Sequence, residues 1–231
     1  MRVLVCDDLA QEGIDILKQE FDVDVRTKLS EDELVEIIPN YDAIVVRSAT
    51  KVTQRVIENS DLKVIGRAGV GVDNIDVDTA TKRGILVVNA PEGNTIAASE
   101  HTVALLMAAA RNIPAAVMSL KNKKWDRKKF MGMELRGKTL GVVGLGRIGK
   151  DVAKKAIGLG MNVIAYDPYV IKDHVESLNV KVADLDTVLK EADFITFHVP
   201  MNKSTYHMIN KERIEMMKDG VIIINCARGG I

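Results

Sequence analysis

Aromatic residues are scarce in this 231-residue chain, 4% of the total with a single tryptophan, so its cores must be built from aliphatic side chains. Cysteine is scarcer. Cys6 and Cys226 lie far apart, each inside an apolar run (VLVC and IIINC), which excludes a disulfide scaffold and predicts two reduced core thiols suited to the cytosol. An excess of charge is missing as well, since 32 basic residues offset 32 acidic ones; with no global field, neither nucleic acid nor an anionic membrane is an expected partner. The longest apolar run, Thr102 to Ala110, is about half of what a membrane-spanning helix needs. The N-terminal apolar stretch is too short for a signal-peptide core before Asp7 and Asp8 interrupt it. Histidine is sparse too: His101, His174, His198 and His207 are not spaced with another histidine, cysteine or carboxylate as a metal site requires, so no metal is expected. What remains is a soluble, cytoplasmic, globular chain whose 47% hydrophobic residues suffice for one large or two ordinary cores.

What the chain does have is a strict alternation. RVLVCD, VDVRT, AIVVRS, LKVIGRAG and ILVVNAP read as strands, separated by the helical patterns AQEGIDILKQEF, SEDELVEIIPN, TQRVIEN and VDVDTATKRG. This rhythm implies a parallel sheet covered by helices. Ser30 with Glu33 predicts a capping box, and Thr53 a cap or first-turn residue. From Asn94 an alanine-rich segment of about thirty residues, broken only by Pro114, reads as a long, heavily buried helix or pair of helices. A basic stretch follows, Lys121 to Phe130, with Trp125 and Phe130 interleaved; it reads as a solvated loop or subunit rim anchored by the two aromatics, rather than a polyanion site. A second βα series then runs to the end. The expectation is two Rossmann/flavodoxin-like parallel-sheet domains, 1–93 and 94–231, with a cleft between them. The second has four clear strands and VKVAD as a short fifth, against about six in a full doubly wound cofactor domain.

The second series opens with a dinucleotide fingerprint. TLGVVG leads into Gly144-Leu-Gly146-Arg-Ile-Gly149, a helical segment, and NVIAYDP, which ends on Asp167, 18 residues after Gly149. Gly144 permits the tight turn, Gly146 lets the backbone approach a pyrophosphate, and Gly149 lets helix and strand pack closely. The carboxylate at Asp167 suits two ribose hydroxyls and repels a 2′-phosphate, which favours NAD over NADP.

Ligands of such sheets gather at strand C-terminal ends, which here carry Arg47 and Ser48, Arg67 to Gly71, Asn89, Val199 and Pro200, and Arg228. The arginines present forks suited to carboxylate or phosphate, or else cap strand edges. Gly69 and Gly71 flank Val70 in a turn that is either an anion nest or an ordinary connection. His198 lies within an apolar strand and reads as a satisfied core histidine more readily than as an acid or base.

The blocks VRSATKVT, GRAGVGVDN, KKWDRKKFMG, GKTLGVVGLGRIG, YDP, DFITFHVP and NCARGG, in this order along the whole chain, resemble the D-isomer-specific 2-hydroxyacid dehydrogenases. The resemblance implies a first domain that holds substrate, an inserted NAD domain, and oxidation of 3-phosphoglycerate, the branch that VRSATKVT and KFMG favour. Carried over by position, it implies Arg228 as the catalytic arginine. It places substrate at Arg47, Ser48, Gly69 and Asn94. NAD would lie against Val70, Gly144, Gly146, Arg147, Ile148, Gly149, Asp167, Val199, Cys226, Ala227 and Arg228. It also implies a homodimer or homotetramer formed through the cofactor domain. The family's glutamate and its partner histidine come from segments after NCARGG, so a cofactor domain incomplete at its C-terminal side is implied. Two other readings stay open: reduction of another 2-oxo acid such as glyoxylate or hydroxypyruvate, and a non-catalytic NAD-binding oligomerisation module.

Overall fold

Short runs rich in valine and isoleucine form the first sheet: β1 Arg2–Val5, β2 Asp22–Val25, β3 Ala43–Val46, β4 Val64–Arg67 and β5 Leu86–Asn89. In the computed structural model, which describes residues 1–170 and 178–231, they pair in parallel in the order β2-β1-β3-β4-β5. Val3 stands opposite both Val23 and Ala43, and Arg67 opposite Asn89. The connecting helices are α1 Gln11–Glu20, α2 Glu31–Ile37, α3 Gln54–Glu58 and α4 Val77–Lys82. Their starts follow the local chemistry: Ser30 and Glu33 close the expected capping box, while Thr53 and Asp76 accept from the backbone N–H three residues on. Helices α2, α3 and α4 press Leu34, Val56, Ile57 and Ala80 against Leu4, Cys6, Ile44, Val46 and Ile65, all but fully buried. On this core, burial pushes the Cys6 thiol up to about 12, with Asp7 adding to the shift, so it stays protonated and inert as expected of a reduced core thiol.

Residues 1–94 make up this first compact unit, and Thr95–Ile231 a second. The second contains α5 Thr95–Ala110, α6 Ile113–Lys121, β6 Thr139–Val143, α7 Arg147–Gly158, β7 Asn162–Tyr166, β8 Lys181–Val182, α8 Leu185–Glu191, β9 Phe194–Phe197, α9 Lys211–Glu215 and β10 Ile222–Asn225. Its strands are also parallel, in the order β10-β9-β6-β7-β8. The short fifth strand anticipated in VKVAD is β8. Two different doubly wound orders thus occur in one chain: the flavodoxin-like order first, then the order of the dinucleotide-binding fold.

The alanine-rich segment forms a pair of helices, one of the two expected arrangements, and departs from expectation in its burial. It breaks into a pair bent by 64°, with Asn112 in a left-handed conformation and Pro114 in the first turn of α6. No single helix among the described residues is long and apolar enough to cross a membrane. Nor is the segment heavily buried: only Ser99, Thr102, Leu106 and Ala110 of α5 are enclosed, while Ile96, Leu105, Ile113, Val117, Met118 and Leu120 are exposed. A helix apolar all round reads as buried on every side, yet here α7 and β10 cover a single stripe. At that seam Ser99 donates to Asp151 at 2.5 Å, and the Lys155 ammonium reaches both. Lys155 and Ser99 together hold the Asp151 carboxyl below its ordinary range.

Candidate functional site

In each sheet the strand order reverses once, between β1 and β3 and between β6 and β9. Connections leave in opposite directions at such a point and open a crevice beyond the strand ends. Both crevices hold residues singled out from the sequence.

In the second unit Gly144 follows β6 at φ +97, a left-handed conformation, and a Cβ there would lie 2.6 Å from the His198 carbonyl oxygen. Only glycine fits between the two strand ends. A Cβ on Gly149 would lie 1.9 Å from the Gly144 carbonyl oxygen, so helix and turn are in direct backbone contact. Gly146 is the opposite case: nothing lies within 4 Å of where its Cβ would be, and no side chain caps α7 behind it. An open approach to an uncapped helix N-terminus is what a pyrophosphate requires. Arg147 is exposed at this end, and half-buried Ile148 packs into the core below. Asp167, just after β7, accepts from Leu145 N–H and from Tyr169 N–H, both at 2.8 Å. The spacing predicts only the ribose contact; the structure adds a second task, because this carboxylate also ties β7 to the glycine turn. A carboxylate has about four acceptor positions, so two serve the backbone and two remain for the ribose hydroxyls. The residues fit a dinucleotide.

Val199 joins this group, its Cγ1 lying 3.0 Å from the position a Gly144 Cβ would take. Cys226, Ala227 and Arg228 follow β10, where Asn225 shapes the turn by accepting from Ala227 N–H and donating to the Arg228 carbonyl, each at 2.9 Å. Arg228 is exposed and donates from Nη1 to the Ala227 carbonyl at 2.9 Å. His198 is tied to Thr196, Nε2 to Oγ1 at 3.0 Å, and burial pushes it down to about 4, so its ring is neutral at pH 7. This is the satisfied histidine that the strand context suggests. His174 lies outside the described residues. Among the described residues no cluster of three or more histidine, cysteine or carboxylate side chains could hold a metal ion.

In the first unit, Arg47 and Ser48 follow β3 and line a concavity of about 300 Å³ with Asp7, Asp8, Thr27 to Leu29, Ala49 and Thr50. Arg47 donates from Nη1 to the Asp8 carbonyl at 3.1 Å. Gly69 and Val70 sit at the end of β4, tied to the end of β5: Ala90 N–H donates to the Gly69 carbonyl at 2.9 Å, and Asn89 Nδ2 to the Val70 carbonyl at 2.6 Å. Arg67 folds against Gly69, whose Cβ would lie 1.8 Å from Nη1, and the Arg67 Nε is buried without a partner. Asn94 is exposed in the turn before α5. Of the four substrate candidates, Arg47 and Ser48 share the concavity, while Gly69 and Asn94 are not part of its lining. Asp7, Thr50 and Asn74, which organise the Arg47 turn, went unnoticed in the sequence. The strand-end rule flags Asp7, which stands just past β1, whereas nothing local marks Asn74.

Residues 103–231 match the family model described as D-isomer specific 2-hydroxyacid dehydrogenase, NAD binding domain. The whole chain is 56% identical to a D-3-phosphoglycerate dehydrogenase of Archaeoglobus fulgidus, of which it covers 44%. It is 50% identical to a hydroxypyruvate reductase of Thermotoga maritima over 99% of the chain and 74% of that relative. Among solved structures, a D-lactate dehydrogenase from Aquifex aeolicus, complexed with NAD and lactic acid, superposes with a TM-score of 0.88 at 33% identity. That match covers 100% of this chain and 70% of the other. The chain therefore spans less than half the length of the phosphoglycerate enzyme it matches.

Proposed function

The chain belongs to the D-isomer specific 2-hydroxyacid dehydrogenases and carries their NAD binding domain, and from that premise we propose that it serves the oxidation of 3-phosphoglycerate to 3-phosphohydroxypyruvate, the step that opens serine biosynthesis. The observation that carries the reading is the 56% identity to a D-3-phosphoglycerate dehydrogenase along the whole chain. The arginine-bearing concavity at the β1/β3 reversal supports it, because a guanidinium fork suits the phosphate or carboxylate of a small polyanion.

NAD, when bound, supplies the hydride acceptor. The chain's residues hold and orient. The uncapped end of α7 at Gly146 and Arg147 takes the pyrophosphate, Asp167 the ribose, and Val199, Cys226 and Ala227 form the wall beside the nicotinamide. Arg228 orients the substrate carboxylate and stabilises charge on the reacting oxygen. No proton step is assigned to His198, whose half-buried ring is bonded to Thr196. The proposed site is cytoplasmic, and the proposed assembly is a homodimer or homotetramer joined through the second unit. The exposed apolar side chains of α5 and α6 and Trp125, 75% exposed, favour that assembly.

The second reading, reduction of hydroxypyruvate or glyoxylate, is favoured by the Thermotoga relative. Formation of NADH from 3-phosphoglycerate, compared with NADH consumption on hydroxypyruvate and glyoxylate, separates the two. Turnover or binding that requires the substrate phosphate supports the first, and equal use of unphosphorylated acids overturns it. The cofactor half has its own check: Asp167→Ala is expected to weaken NAD by about tenfold to a hundredfold, the worth of one or two charge-assisted hydrogen bonds, and to narrow the preference over NADP. A direct titration showing unchanged NAD affinity would remove Asp167 from the site.

A further inference from the structure

The Arg47–Thr50 segment lies beyond the end of β3, outside any helix or sheet ladder, and yet both backbone poles of its two end residues are satisfied. Asp7, 6% exposed, accepts through Oδ2 from Arg47 N–H at 2.5 Å and from Thr50 N–H at 3.3 Å; its Oδ1 accepts from the Thr50 hydroxyl at 2.8 Å. Asn74 donates from Nδ2 to the Arg47 carbonyl at 2.8 Å and to the Thr50 carbonyl at 2.6 Å. Asn74 is itself fixed, since its carbonyl accepts from Val52 N–H at 2.8 Å and Ile75 next to it bridges Val52. One side chain thus takes the two N–H groups of a turn and another takes its two carbonyls. The residues so held are Arg47 and Thr50, with Ser48 between them.

We infer that Asp7 and Asn74 are positioning residues for substrate recognition: they shape the Arg47–Thr50 turn so that the Arg47 guanidinium and the Ser48 hydroxyl address the concavity at the β1/β3 reversal. The inference rests on the reading of that concavity as the substrate site. Neither residue has to touch substrate. Each replaces a hydrogen-bond partner that regular structure would have supplied, and a recognition arginine on an untied turn would lose its aim as well as its order.

Calorimetric titration with 3-phosphoglycerate, and with NAD on the same samples, tests this in Asp7→Ala, Asn74→Ala, Arg47→Ala and the Arg47→Ala/Asp7→Ala pair. Asp7→Ala and Asn74→Ala are each expected to weaken 3-phosphoglycerate by about tenfold or more, with NAD affinity unchanged, as a displaced but intact arginine would do. In the Arg47→Ala background the Asp7 replacement is expected to cost less than about twofold, because a residue acting through Arg47 has nothing left to aim. A purely structural role would weaken both backgrounds alike, and that result overturns the inference. So does parental affinity in Asn74→Ala, which removes only a half-buried amide and keeps the inference open to refutation should Asp7→Ala fail to fold. Binding indifferent to Arg47→Ala would instead bring down the substrate assignment itself, and the inference with it.

Discussion

Arg228→Ala is expected to lower kcat/KM for 3-phosphoglycerate by about a thousandfold, or about 4 kcal/mol of transition-state stabilisation, the loss typical of removing one donor aimed at developing oxyanion charge. NAD binding should be largely intact, because the pyrophosphate turn and Asp167 lie at β6 and β7, while Arg228 follows β10 at an edge of the sheet. The fold should be unchanged too. Arg228 is exposed, and its turn is shaped by Asn225 through bonds to the backbone, which alanine retains. Steady-state rates and an NAD titration on one preparation give the answer. A kcat/KM that survives the replacement would dismiss Arg228 from the chemistry, and a parallel fall in NAD affinity would make holding the cofactor its main task.

The second large effect separates two glycines of one motif. Gly149→Ala places a methyl 1.9 Å from the Gly144 carbonyl oxygen, so helix and turn must part. A cost of about 3 kcal/mol, roughly 6–12 °C in Tm, is expected from such overpacking, with NAD binding lost as the turn opens. Gly146→Ala meets nothing within 4 Å and keeps a φ of −67 that alanine adopts freely. Its Tm should stay close to that of the parent, while NAD affinity falls by about a hundredfold because the methyl fills the approach to the phosphates. Thermal unfolding and titration of both variants check the pair. Equal stability losses would mean that the two glycines do the same job, contrary to the geometry.

Much of this was legible in the residues. Continuous apolar runs marked the central strands β1, β3, β6 and β9, because a strand buried on both faces has no polar alternation to show. The glycine spacing located the turn, because each glycine answers a steric demand only a few residues away. The strand orders were not legible: both series share one local rhythm, and which strand pairs with which is decided by long-range packing. The exposure of α5 and α6 was misread for a related reason, since composition records how apolar a helix is and not how many of its sides are covered. Asp7 and Asn74 escaped because their partners at Arg47 and Thr50 are remote in sequence, and a carboxylate or amide near a strand end looks like any surface residue until the turn it holds is seen.

The seam between α5 and α7 has a consequence for the thermodynamics of the nucleotide site. Ser99, Asp151 and Lys155 brace the helix whose first turn is proposed to offer its amides to the phosphates, so on that reading those amides are held before any ligand arrives. Capturing the dinucleotide then requires little ordering of the backbone, and losing it leaves no melted turn behind. Affinity at such a site comes from preorganisation, and the entropy that a looser helix would surrender at each binding event has already been spent in folding.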